Sequence, residues 1–593
     1  MITLQQIKKG KDKYGVVLLF SLMLLAAVYI CALSGDKSKN LWDYAVEKRQ
    51  WEQIAEQRRA SQTLLQDTKS GLMISGYELP YVKEENRFYL SVCMKDKEFS
   101  LRKSDISADS EKGNGSIDCY VPDSLDFYGP LEGFAICEDE YLTGETNGKQ
   151  KSVNAPNQEE KDRIEKLKDA VREGHEFRVI FYTGDAYQQA GLVLTGLPVV
   201  AITTSREEPR EYPIEEIDDY VYNSETRYYG NVTIFQSAKP YQIVKRGICY
   251  HERGQTSSVF SKKSYALKLL DEQEQGVSTS LFGMESSEKW KLNAMYSDVS
   301  KIRDKTSLEV WKEIAGQDYE FDESGAEMEY CEVILDGEYL GLYGMMLPIN
   351  EDTLGLGGED VLYKILDWEM PSAEDIQASV EQNYEVCYPI RIRYPEDFVT
   401  VDSLWEPMKI YLSAKYWAPD MGLYADMTYP DNLADYLIYI QAVAGYDNYL
   451  KNTYVAATPA GNVSGYKMVT IPWDMNFTFG DCYAYDPEHN YLQFNADTSV
   501  NYVEPVLEDY FRQNVGGSAE LLKRKWQSYR KDILSEEHII RIMQENRNVL
   551  VQSGAFERER QKWPEVDNET DLTMLEDYVR ERLNYLDGYF AQF

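Results

Sequence analysis

Three oxygen-bearing side chains, Asp447, Asn452 and Asp474, fall within one stretch of the chain, 431–480, in an order that suits phosphoryl transfer. An Asp can accept or orient the proton of an attacking hydroxyl, while an Asn and a second Asp hold Mg2+ or Mn2+ against phosphate oxygens. Asp447 and Asn452 are separated by four residues, and Asp474 lies beyond a segment that reads as a hairpin. In a chain with 100 Asp and Glu residues the spacing D-x-x-x-x-N is a weak signal by itself. An Asp-Asn turn followed by a strand-end Asp that caps a loop accounts for it equally.

The elements that must position these residues can be read around them. Asp431 is a plausible N-cap for a helix whose apolar residues Leu433, Leu437, Ile440, Val443 and Ala444 recur at helical spacing and which ends near Gly445. A loop then presents Asp447 and Asn452. A strand TYVAAT follows, then a turn through Pro459, Gly461 and Asn462, then a strand YKMVTI running into Pro472-Trp473-Asp474. Folding this hairpin about residue 462 pairs position 452 with about 472. At ~3.3 Å per strand residue, Asp474 is expected within a residue or two of Asn452. In protein kinases a catalytic-loop Asp, an Asn after four residues, a hairpin and a metal-binding Asp follow in the same order.

Bulk properties bound the alternatives. A chain of 593 residues exceeds what one core sustains, so two or three globular units are expected, and 43% hydrophobic residues with 47 Tyr supply enough apolar surface to fold them. A formal charge of −38 with no long basic tract repels phosphate backbones and anionic headgroups, which sets nucleic acid aside as a partner. The acidity also suits a basic protein substrate or divalent cations, with the solubility of a large protein as the plain alternative. The four histidines form no H-E-x-x-H, no C-x-x-C pair occurs among the eight cysteines, and there is no G-x-S-x-G. These absences argue against His-built zinc hydrolases, zinc ribbons, thioredoxin-like redox sites and nucleophile-elbow hydrolases.

At the N-terminus an uncharged run over 15–33 would rise ~28 Å as a helix and match a bilayer core. Lys8, Lys9, Lys11 and Lys13 precede it and keep the N-terminus inside, with the bulk of the chain outside. A cleaved signal peptide at Ala32-Leu33-Ser34 is the rival reading and exports the bulk equally. The expected organisation is a cytosolic N-terminus (1–14), a transmembrane anchor (15–34), a helical stalk (35–68), a mostly-β accessory domain (69–210) with a helix near 157–173, and an α+β domain (211–593). The last boundary is expected in SREEPREYPIEE at 205–216, where prolines and charges leave little to bury. Gly144-x-x-x-Gly148-Lys149 is one residue short of a phosphate loop and lacks its Ser or Thr, so it reads as a turn.

Over roughly 225–590 the sequence resembles the CotH (spore coat protein H) kinase family. The resemblance is carried by Arg253-Gly254-Gln255-Thr256-Ser257 with KKSYALK at 262–268, WKLNAMYSDVSKIRDKTSLEVW at 290–311, EVILDGEYLGLYG at 332–344, DNYLKN at 447–452, IPWDMNFTFG at 471–480, and Trp563 with Tyr578-Val579-Arg580-Glu581-Arg582 near the end. It implies an atypical protein-kinase-like fold that binds Mg-ATP (or Mn-ATP) and phosphorylates Ser or Thr of an exported, spore-coat or cell-surface protein. By position it makes Asp447 the catalytic Asp, Asn452 a metal ligand and Asp474 the counterpart of the D-F-G aspartate.

Lys268, on a strand within SYALKLL, is the candidate for the phosphate-pairing lysine, and an exposed strand lysine is the plain alternative. Arg253, Gly254 and Ser257 are candidates for a turn over the phosphates, because Gly permits close backbone approach and Arg a bidentate contact; a simple hairpin turn is the alternative. Asp298 and Arg303 read as a helical pair that either positions Lys268 or the phosphates or lies on the surface. Many relatives carry a Glu where this chain has Leu347 and Pro348, which puts the nucleotide contacts of that segment in question. A catalytically inactive surface-binding or adhesion protein on the same scaffold is therefore the competing function.

Overall fold

The computed structural model of the protein describes residues 71–92, 102–104, 119–121, 125–128, 133–136, 168–183, 186–205, 210–211, 226–236, 242–254, 257, 260–315, 325–483, 492–494, 496–566 and 568–593. The membrane-spanning segment expected at 15–34, the stalk at 35–68 and the turn at 144–149 lie outside these residues. Among the described residues no helix is long and apolar enough to cross a membrane. The chain divides into two compact units. The smaller comprises Met1–Ser70, Phe127–Phe134 and Ile180–Gln189, and its described residues are all in strands. The larger comprises Gly71–Asp126, Ala135–Val179 and Ala190–Phe593 and carries the candidate chemistry.

Within the larger unit, strands and helices mix as an α+β fold. A closed barrel of seven strands comes first: β1 (Val199–Thr204), β2 (Thr226–Gln236), β3 (Gln242–Arg253), β4 (Ser264–Leu270), β5 (Lys289–Asn293), β6 (Glu327–Leu335) and β7 (Glu338–Leu347). Round the barrel the order is β1-β6-β7-β5-β4-β3-β2, and β2 pairs back onto β1. Only β1 and β6 run parallel, as an odd number of strands requires when every other pair is antiparallel. Alternation turns Ile202, Ile234, Ile248, Leu267, Trp290 and Val333 inward to one apolar core. Strand β1 falls ahead of the domain boundary expected in 205–216, yet it is hydrogen bonded on both edges to barrel strands. A polar, proline-bearing connection joins neighbours in one sheet as readily as it separates domains.

Between β5 and β6 stands helix α1 (Arg303–Ile314). After β7 the chain crosses to its second half through Pro348–Asn350, where the Asn350 side chain caps helix α2 (Glu351–Leu354). A sheet follows, with β8 (Val361–Ile365) between β9 (Ile390–Tyr394) and β10 (Thr453–Pro459), and with β11 (Tyr466–Pro472) beyond β10. Against it packs α3 (Pro430–Val443), every residue of which from Asn432 to Val443 is buried. The expected helix is present with its start moved. Pro430 occupies the first helical position, where its missing N–H costs nothing, and Asp431 lies in the first turn, 3.2 Å from Lys525.

Helices α4 (Ala555–Lys562) and α5 (Thr573–Phe590) close the chain, and α4 is riveted to the barrel by a buried carboxylate. Glu559 accepts from Lys262 Nζ at 2.6 Å and from the Leu342 amide at 2.8 Å, with Lys301 Nζ 3.8 Å away. The approach is possible only because residue 341 is glycine at φ +96°: a Cβ there would meet the Glu559 carboxylate at 2.3 Å. Burial lowers the Lys262 ammonium to about 8 even with this partner. Replacing Glu559 by Ala strands two buried ammonium groups, so a loss of about 3–5 kcal/mol is expected. Urea unfolding of the wild type and Glu559→Ala measures it, and an unchanged midpoint would contradict the assignment.

Candidate functional site

The loop after α3 is set by backbone geometry before any ligand is considered. Ala444 closes the helix in the left-handed region, and the Gly445 amide returns to the Ile440 carbonyl at 2.9 Å. Asn448 then bridges the loop to the hairpin, its Nδ2 donating to Trp473 O at 2.7 Å and to Asn452 O at 3.3 Å. Strands β10 and β11 pair Thr453 with Pro472, and Trp473 N donates to Asn452 O at 2.9 Å. Asn452 and Asp474 therefore flank the mouth of the hairpin, as its length predicts. Both are left-handed, at φ +54° and +61°, a conformation that Asn and Asp tolerate better than most residues.

Asp447 completes the group. Its Oδ2 accepts from Asn452 Nδ2 at 3.4 Å and lies 3.3 Å from Lys451 Nζ, which in turn stands 4.6 Å over the Trp368 ring. Burial raises the Asp447 carboxyl above its ordinary range, Lys451 pulls it back, and the charge of Asp474 pushes it up again. Asp474 is partly exposed and makes no hydrogen bond or ion pair among the described residues.

Behind Asp474, α1 holds the segment that follows it. Asp304 accepts from the Met475 amide at 2.8 Å and from Asn293 Nδ2 at 2.7 Å, so one carboxylate joins β5 to the residue after Asp474. Burial and then the charge of Asp474 raise Asp304 to about 7. Arg303 is buried between Asp298 at 2.7 Å and Asp481 at 3.0 Å and donates to Thr478 O at 3.1 Å. The expected Asp298–Arg303 pair thus exists, but it lies in the interior and anchors the 478–481 backbone, reaching neither Lys268 nor the surface. Only Arg303 of the two is helical; Asp298 precedes the helix and accepts from the Arg303 amide at 3.0 Å.

Positive charge converges from four strands, β3, β5, β8 and β9. Lys291 of β5 stands 3.9 Å over the Trp473 ring, and Lys364 of β8 lies 5.8 Å from the same ring. Burial lowers both ammonium groups, then repulsion by Arg253 and Arg393, which for Lys291 includes Lys364 itself; Asp474 opposes the shift in each, and Lys364 falls to about 7. No carboxylate pairs with Arg253, Lys291, Lys364 or Arg393 among the described residues. Of the turn candidates, Arg253 ends β3 and joins this cluster, Gly254 follows at φ +115°, and Ser257 accepts from the Phe260 amide at 3.3 Å in a local turn.

Lys268 stands elsewhere, paired with Glu288 at 2.9 Å and 44% exposed. The lysines that the charge of Asp474 reaches are Lys291 and Lys364, and sequence reading missed both. The available signal was order: β3 and β4 flank the Arg253 turn, and the next strand before a helix is β5, where the kinase arrangement puts its lysine on a third strand ahead of helix αC.

The side chains fit a divalent cation. Asn452 donates through Nδ2, leaving its amide oxygen to bind, and Asp474 offers an unengaged carboxylate, a set that suits Mg2+ completed by phosphate and water. Among the described residues no three His, Cys, Asp or Glu side chains form a metal cluster, so any ion here relies on the ligand's own oxygens. The family described as CotH kinase protein matches residues 251–586, more than half of the chain and all of the residues above. No curated protein matches it.

The depressed lysines give a signed prediction. Near pH 8 Lys364 is largely neutral; a polyphosphate anion beside it raises its affinity for protons, so binding takes up protons there. Near pH 6 the lysine is already charged and uptake fades. Calorimetry in buffers of different ionisation enthalpy reads this directly, with smaller uptake expected for Lys364→Met. Buffer-independent heats at pH 8 would contradict it.

Proposed function

The chain belongs to the CotH kinase protein family, and from that premise we propose that it is a Mg-ATP-dependent protein kinase acting on Ser or Thr of an exported, spore-coat or cell-surface protein. The single observation that carries the reading is an excess of basic groups over carboxylates: Arg253, Lys291, Lys364 and Arg393 act on one another, no ion pair ties any of them among the described residues, and Asp474 is the one carboxylate whose charge reaches both lysines. Desolvated positive charge is costly unless an anion offsets it, and a triphosphate with its metal supplies that anion.

The division of labour follows from position. Lys291, Lys364 and Arg253 bind the phosphates. Asn452 and Asp474 would hold Mg2+ or Mn2+, which when bound neutralises phosphate oxygens. Asp447 stands at the other edge of the group, where an acceptor hydroxyl would approach, and its carboxylate takes the hydroxyl proton. As that oxygen bonds to the terminal phosphorus, the bond to the departing diphosphate breaks. Lys451 keeps Asp447 charged and oriented until the proton arrives. The acidic chain favours a basic, Ser/Thr-rich protein as acceptor. The 15–33 segment would anchor the protein with its bulk outside the cytosol.

The competing reading, an inactive binding scaffold, draws on the expected export of the chain and on Leu347. That side chain is 2% exposed and packs in the barrel core, so its identity bears on packing and not on nucleotide contacts.

Incubating the protein with γ-labelled ATP, Mg2+ and a Ser-rich basic protein tests the proposal. Label transfer is expected, with Asp447→Ala reducing it at least about 100-fold while nucleotide binding persists, a magnitude typical of losing a general base. Asp474→Ala should remove the metal dependence of binding as well. The absence of any ATP-dependent thermal shift at millimolar concentration would end the kinase reading.

A further inference from the structure

Two lysines of one strand are held by different chemistry. Trp290 and Leu292 of β5 fill the barrel interior, so alternation turns Lys289 and Lys291 to the same outer face. Lys289 meets two carboxylates, Glu351 at 3.0 Å and Glu396 at 2.5 Å. Lys291 meets the face of Trp473, its Nζ 3.9 Å from the ring centroid, and has no ion pair among the described residues. Helix α1, which follows β5, carries an acid in its first turn, but both oxygens of this Asp304 are engaged, by Met475 N and Asn293 Nδ2. Other lysines that lie over a ring also have a carboxylate: Lys262 has Glu559 at 2.6 Å, Lys305 has Glu309 at 3.0 Å and Lys415 has Glu504 at 3.2 Å.

The Trp473 ring is itself fixed. The residue is 1% exposed, its amide donates to Asn452 O at 2.9 Å, its carbonyl accepts from Asn448 Nδ2 at 2.7 Å, and the Tyr454 ring meets it edge-on at 6.0 Å. Tyr454 stands opposite Lys364 in the register of β8 and β10, and Lys364 Nζ lies 5.7 Å from its ring. The segment that supplies Asn452 and Asp474 thus also supplies the rings beside both ammonium groups. A carboxylate and an aromatic face hold an ammonium in different ways. The carboxylate cancels its charge, and an arriving phosphate must displace it. The ring attracts the cation through its quadrupole while bringing no net charge, so the ammonium is oriented and keeps its full charge for an anion. Ordering a loose lysine opposes binding, and a lysine already seated on a ring avoids that loss.

We infer that Trp473 is a positioning residue for phosphate binding, its ring face holding Lys291 in place of a carboxylate. The inference rests on the kinase reading above and adds a residue to it. Tetrafluorotryptophan at position 473 of the full chain keeps the ring's shape and withdraws negative charge from its face. Calorimetry with Mg-ATP is expected to show binding about fivefold weaker. In Lys291→Met, which still binds through Lys364 and Arg253, the same replacement should cost less than about twofold, because the ammonium held at 3.9 Å is gone. Fluorination also makes the indole N–H a stronger donor, and in the protein this buried group has no hydrogen-bond partner. Tighter binding would therefore assign Trp473 to the ligand through its N–H and overturn the inference. Unchanged binding, or an equal loss with Lys291 already removed, would overturn it and leave the kinase reading standing. No binding of Mg-ATP by the unmodified chain would overturn both.

Discussion

The antiparallel register between β10 and β11, from Thr453–Pro472 at the open end to Pro459–Tyr466 at the turn, is the constraint on which the site depends. It makes Asn452 and Asp474 neighbours although they are far apart in sequence, and the Trp473 N to Asn452 O bond continues the ladder into the loop itself. A slip of one residue would turn one of the two side chains away from the other. Both faces of the hairpin are buried, with Tyr454, Val455, Ala456, Ala457, Met468, Val469 and Ile471 all in the main core.

A second layer of order comes from charges withdrawn from water. Arg303, Asp298 and Asp481 form a closed interior group, and Asp304 links the end of β5 to the amide after Asp474. Buried pairs of this kind add little net stability, but losing one member is expensive, so they fix a unique arrangement more than they strengthen it. In this protein they fix the backbone that presents Asp474. The cations on the opposite wall are of another kind: Lys291 and Lys364 meet the Trp473 ring and feel the charge of Asp474 without an ion pair, and so leave charge available to a ligand.

The same distinction separates the two lysines of neighbouring strands. Lys268 and Lys291 both face outward from the barrel, and each follows an apolar strand residue. Lys268 meets Glu288 and is satisfied, whereas Lys291 meets the Trp473 ring and has no carboxylate within ion-pair distance among the described residues. Local sequence makes Lys268 the closer imitation of a kinase strand lysine. Which of two such residues reaches a site depends on what packs opposite, and strand pattern does not encode that.

The chain's own sequence determined the local pieces: a buried helix before Asp447, a hairpin whose length carries Asp474 back to Asn452, and alternating strands ahead of them. These follow from periodicity, turn residues and strand rise, which act over a few residues and are written in order. The amino-acid sequence also carries the family motifs, and the match over 251–586 covers them. Closure of the barrel through β1, burial of the Arg303 group, the Glu559 rivet at Gly341 and the choice of Lys291 were decided only in three dimensions. Each joins groups remote in the chain through desolvated charge or close backbone approach, and the energy of such contacts belongs to the partner that folding brings, not to either residue alone.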